Sequence, residues 1–142
     1  MQVFHLLYIS KAAPHLDIDD LRKIITISNR NNEASDITGA LYYRDFYFMQ
    51  FLEGDEAKVR KLYEKIAKDQ RHIETRVIGE VFSNRRLFDT WMSGFADRMP
   101  VKKKAEEIFA LIELSSKSEI LHDLQTMKSS IRLFGNACTM IE

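Results

Sequence analysis

Two apolar runs, DITGALYY at residues 36–43 and FYFMQFLE at 46–53, are separated only by Arg44 and Asp45. They read as a β-hairpin. Arg44-Asp45 lacks the glycine of the favoured two-residue turn, which leaves the turn type open. With one face expected to take helices and the other an appendage, a sheet built on this hairpin has a centre covered on both sides.

The flanking segments say what covers it. Residues 2–9, QVFHLLYI, read as a first strand, and Pro14 closes the loop behind it. Asp17, with Asp20 three residues on, forms an imperfect capping box for a helix. Leu21, Ile24, Ile25 and Ser28 recur at helical spacing, and that helix runs to about Asn32. After the hairpin, Asp55 caps a second helix with Val59, Leu62, Tyr63 and Ile66 on one face. Its pairs Glu56–Arg60 and Glu64–Lys68 suit a solvated face. Residues 73–83 read as a fourth strand, a short polar helix or loop follows, and residues 91–97 give a last strand.

The order β-α-β-β-α-β with one added strand is the ferredoxin-like α+β plan, two helices on one face of a sheet. Alternation along the third strand puts Phe46, Phe48, Gln50 and Leu52 on a common face. Met99-Pro100 ends the unit, giving a domain at 1–98 and an appendage at 99–142. In the appendage, Ile108, Leu111 and Ile112 predict one helix, and Ile120, Leu121, Leu124 and Met127 a second. The pair is expected on the free face of the sheet or at a dimer interface.

Composition narrows the function. The 142 residues carry 21 basic and 21 acidic side chains, a balance that opposes binding nucleic acid by phosphate neutralisation. No apolar window is long enough to span a membrane, and the N-terminus lacks the basic start of a secretory signal. Cys138 is the lone cysteine, which predicts a reducing, cytoplasmic setting. The four histidines are scattered, so no metal site is expected.

Two polar residues do not belong in their strands. Gln50 stands between Met49 and Phe51, and Tyr8 between Leu7 and Ile9. A buried amide needs a partner, and the Tyr8 hydroxyl both donates and accepts. The plain reading is a core hydrogen bond. The first helix gives a second reading, because its inward stripe of Ile24, Ser28 and Asn32, with Asn31 beside it, turns polar towards its end. Those amides can cap the helix, or read the edge of a flat heterocycle held between Ile24 and Ile66. The five glycines form no phosphate-binding loop, so a pyrophosphate would meet side chains such as Lys65, Arg71 and His72. These cations serve equally as a complement to a helix C-terminus.

The spacing of these residues resembles the BLUF domain, a blue-light sensor that uses FAD. The resemblance rests on Tyr8-x-Ser10, Asn31-Asn32 before Ile37 to Tyr43, Phe48-x-Gln50-x-Leu52-Glu53-Gly54, Asp69-x-Arg71-His72, and Trp91, over residues 1 to about 98. It implies non-covalent FAD with its ring between the two helices, clamped by Ile24 and Ile66. Asn31 and Asn32, with Ser28 close by, would bind the polar edge, and Phe48, Gln50 and Leu52 would line the site. Lys65, Asp69, Arg71 and His72 would lie towards the ribityl and phosphate end. Tyr8 would be the electron donor to the excited flavin and Gln50 the proton relay, giving a red-shifted state without an adduct.

The family usually carries methionine two residues after the tryptophan. Here Trp91-Met92-Ser93 puts a serine there, so the relay through Trp91, Met92 and Ser93 is expected to differ. A sensor domain cut from a fused enzyme is the alternative within the family, but too few residues follow position 98 for a catalytic domain. The chain is therefore expected to be a short, stand-alone sensor that is not an enzyme, self-associates and signals to a protein effector. Two rivals share the architecture. An RNA-binding sheet would use the six aromatics of residues 42–51, but it lacks the basic motif. An acylphosphatase-like hydrolase would need an arginine in the loop SKAAPH, which has none.

Overall fold

Strand β1 (Val3–Ala12) is buried along nearly its whole length, as its apolar run requires of a strand covered on both faces. The computed structural model describes residues 2–44, 46–88, 91–96, 120–135 and 139–140. After β1 come α1 (Ile18–Ala34), β2 (Thr38–Arg44), β3 (Tyr47–Gly54) and α2 (Glu56–Ala67). They are followed by β4 (His72–Ser83), β5 (Trp91–Ala96), α3 (Leu124–Gly135) and β6 (Thr139–Met140).

The described strands form one sheet in the order β4-β1-β3-β2-β5-β6. Strand β1 runs antiparallel to β3 and β4, and β2 antiparallel to β3. This is the expected ferredoxin-like α+β core, with β5 added parallel to β2. One register row crosses four strands: Tyr8 faces Gln50, Gln50 faces Leu41, and Leu41 faces Ser93. The register therefore keeps Ser93, not Met92, level with Gln50.

Local chemistry sets the element ends. Asp17 accepts from Asp20 N at 2.8 Å while Asp20 accepts from Asp17 N at 3.1 Å, so the capping box is complete. Helix α1 ends through backbone bonds from Ser35 N to the carbonyls of Asn31 and Asn32, not through the asparagine amides. Asp55 caps α2 by accepting from Lys58 N at 3.1 Å. Glu56 and Arg60 pair at 2.8 Å on its exposed face.

The sheet separates two cores. On the α1–α2 side, Phe4, Leu6, Tyr8, Phe48 and Leu52 pack with Ile24, Ile25 and Val59. On the other side, Leu7, Met49, Phe51 and Phe88 pack with Met127 and Ile131 of α3. The second core corrects the RNA-binding alternative, because Tyr42, Met49 and Phe51 are covered rather than open for base stacking. Met127 lies over Gly79, where a Cβ would come within 2.7 Å of its Cγ.

Two expectations change. Phe46 is not on the β3 face: it sits in the hairpin turn, 61% exposed, with a positive φ of 73°. That left-handed backbone supplies what a glycine would have given, and Tyr43 Oη accepts from Phe46 N at 3.1 Å. The second tail helix starts at Leu124 rather than Ile120, because Leu121 instead bridges the edge of β4 at Gly79. Glu80 N donates to Leu121 O at 2.9 Å, and Leu121 N to Ile78 O at 3.0 Å. The segment after β4 is a loop through Phe88. The first tail helix, around Ile108 to Ile112, lies outside the described residues, as does the junction at 98/99. No helix among the described residues is long and apolar enough to cross a membrane.

Candidate functional site

Tyr8 and Gln50 are cross-strand partners, each 1% exposed, and both point to the α1–α2 side. The Tyr8 hydroxyl donates a hydrogen bond to Gln50 Oε1. Burial, with Tyr63 adding to it, pushes the Tyr8 phenol far above its ordinary range, so it holds its proton. The Tyr63 ring packs against it at 5.3 Å between centroids, tilted by 57°.

Above this pair lies a cleft of about 100 Å3 between the helices. Ile24 and Ile66 line it from opposite helices, with Ser28, Asn31, Asn32 and Gln50 as its neutral polar contributors and Lys65, Asp69 and Arg71 as its charged ones. Helix α1 brings Ile24, Ser28 and Asn32 together because they recur at four-residue spacing. Asn32 is 2% exposed, and its Nδ2 has no hydrogen-bond partner among the described residues. A buried, unsatisfied donor is costly in a native core. It fits a carbonyl of a flat heterocycle entering between the isoleucines, and the donor set of the cleft therefore fits a flavin. Asn31 is exposed at the rim. Phe48 and Leu52 are fully buried in the core on the same side of the sheet and, against expectation, do not line the cleft.

The cationic residues divide. Arg71 is held by Asp69, with Nη2 at 2.5 Å from Oδ2 and Nε at 3.0 Å from Oδ1. That guanidinium draws the Asp69 carboxyl down to about 2. His72 turns to Ser10, its Nδ1 2.8 Å from Oγ, and its ring packs on Phe48 at 4.9 Å. Burial lowers its pKa to about 4, so it is neutral at pH 7. Lys65 lines the cleft and, with Lys58, Lys61 and Lys68, a wider groove of about 790 Å3 beside it. Trp91, Met92 and Ser93 are placed by the backbone of β5 alone, along β2 at Gly39, Ala40 and Leu41.

Sequence reasoning gave Glu53 no role. Its carboxylate, 0% exposed, accepts from Leu87 N, Phe88 N and Thr38 Oγ1, each at 2.8 Å. His5 Nδ1 stands 3.1 Å away, while Nε2 meets Ser83 Oγ at 2.7 Å. Burial pushes the Glu53 pKa up, but His5 and the other donors outweigh it and the net shift is downward. The group ties the loop entering β5 to β3. A histidine and a glutamate inside two apolar strands were the available signal, and Tyr63 beside Tyr8 gave none.

A family model described as sensors of blue-light using FAD, BLUF, matches residues 3–94. The chain is 32% identical over 133 residues to the photoactivated adenylate cyclase subunit alpha of Euglena gracilis, covering 87% of this chain and 13% of that protein. It is 36% identical over 67 residues to the blue light- and temperature-regulated antirepressor BluF of Escherichia coli K12, covering 47% of this chain and 17% of that one. The chain thus spans a small part of these relatives. Among solved structures, the photo-activated state of BlsA superposes with a TM-score of 0.70 at 27% identity, covering 100% of this chain and 99% of that one. The dark state of BlrB gives 0.67 at 26% identity, covering 80% and 86%.

Proposed function

The chain belongs to the BLUF family, sensors of blue-light using FAD, and from that premise we propose that it senses blue light through a Tyr8–Gln50 relay beneath non-covalently bound FAD. The observation that carries the reading is the buried Tyr8–Gln50 hydrogen bond under a cleft with an unpaired Asn32 donor. When bound, the flavin supplies light absorption and a one-electron acceptor.

The chain's own residues do the rest. Ile24 and Ile66 hold the ring plane and exclude water. Asn32 Nδ2 donates to the ring edge, with Ser28 and Asn31 beside it. Arg71 is already satisfied by Asp69, so the lysine wall begun by Lys65 meets the phosphates, while Asp69 and His72 shape the ribityl end. Tyr8 is the electron donor. Its phenol has lost contact with water, so its proton has one route, along the bond to Gln50 Oε1. An amide both donates and accepts, so Gln50 passes the proton on and settles with its hydrogen bonds rearranged. That rearrangement is a local event that must bias a bistable element to act as a signal. The elements on offer are β5, in register with Gln50 through Leu41, and α3 on the opposite face. The reaction is internal to the protein, so we read it as signalling, not turnover, with a protein effector and a second copy of the chain as partners.

Absorption spectra of the protein loaded with FAD, in darkness and under blue light, test this. A small red shift that recovers in darkness is expected, and Tyr8→Phe and Gln50→Leu should bind flavin without shifting. A loaded wild-type protein with no reversible shift sinks the reading.

A further inference from the structure

Tyr8 is sealed from solvent, yet its ring has an oxidisable neighbour. Tyr63 packs 5.3 Å away, centroid to centroid, on the inner face of α2, and is itself half-buried. Each ring is a phenol, so moving an electron between them is close to thermoneutral, and rings in van der Waals contact exchange electrons rapidly. What separates them is the proton. Tyr8 can give its proton only to Gln50, whereas partly exposed Tyr63 can release one towards water.

We propose that Tyr63 is a second electron donor in series behind Tyr8, the station through which an oxidising equivalent leaves the buried pocket. The inference rests on the reading of Tyr8 as the primary donor. Tyr8 first loses one electron to the light-excited acceptor, and its phenolic proton moves towards Gln50. Tyr63 then passes one electron to Tyr8, which recovers its proton from Gln50 and is restored. Tyr63 gives its own proton to water and remains as the phenoxyl radical. A small external reductant with a labile hydrogen, such as ascorbate, returns one electron and one proton to Tyr63. The net result is one reductant molecule oxidised by one electron for each electron held in the pocket. The route is a side exit from the photocycle, drained only when such a reductant is present.

Two measurements test it. In the flavin-free protein carrying 3-aminotyrosine in place of Tyr8, azide radicals made by pulse radiolysis oxidise surface tyrosines. The hole should then collect at position 8 with the distinct aminotyrosyl spectrum. Adding Tyr63→Phe should abolish that signal on the pulse timescale. In the FAD-loaded protein under continuous blue light, ascorbate oxidation should be lost in Tyr63→Phe while the reversible red shift persists. An unchanged aminotyrosyl signal, or unchanged ascorbate oxidation in Tyr63→Phe, overturns the proposal. If wild type shows no red shift but the flavin-free transfer still needs Tyr63, the blue-light reading fails and the tyrosine route stands.

Discussion

Deleting one hydroxyl at Tyr8 leaves Gln50 Oε1 without its donor in a place water does not reach. In the flavin-free protein, Tyr8→Phe should cost about 1–3 kcal/mol, read from denaturant unfolding. His72 makes a different prediction. Its folded pKa of about 4 lies below the unfolded value, so between about pH 6.5 and 4 the unfolded chain binds more protons. The stability this neutral histidine allows is present above that window and is lost as pH falls through it. His72→Gln should flatten the pH dependence there. The remaining acid loss, below about pH 4, should then follow Asp69, whose folded value is about 2, together with Glu53, whose pKa is also held down. The site was partly legible at this scale. Tyr8 and Gln50 showed because a polar group inside an apolar strand demands a partner. The engagement of Arg71 by Asp69 and of His72 by Ser10 did not show, since a loop and a cross-strand register decide those pairings.

At the scale of elements, Glu53 is the joint between β3 and the loop that leads into β5. Its carboxylate accepts two backbone N–H groups, a hydroxyl and a histidine contact. Glu53→Gln would aim an amide NH2 at a shell made of donors, and should destabilise the fold by about 3–5 kcal/mol. Hydrogen exchange should accelerate most at the Leu87 and Phe88 amides. A uniform acceleration across the sheet would instead mean the group serves general stability. Both helix caps and the order of elements along the chain from β1 to β5 were legible, because capping residues and apolar periodicity are local signals. The role of Ile120-Leu121 was not, since an apolar pair reads alike as a helix start or as an edge bridge. Only the presence of the β4 edge decides between them.

For the whole molecule, the sheet works as a partition, with the cleft on one side and α3 on the other. Met127 and Ile131 are 0% exposed against the second core. Ile131→Ala should therefore cost about 2–5 kcal/mol by leaving a cavity, and thermal unfolding should stay a single transition. A cost near zero would show that α3 is dispensable to the sheet. Gly79, with Met127 seated over it, carries this integration furthest. Gly79→Ala alone should cost about 1–3 kcal/mol through overpacking. Combined with Met127→Ala, the loss should be smaller than the sum of the two single losses, because the new methyl group enters the space the methionine vacates. The two positions therefore carry one inherited dimension between them. Across descendants of this chain, a side chain gained on the strand should be admitted only where one has been surrendered on the helix.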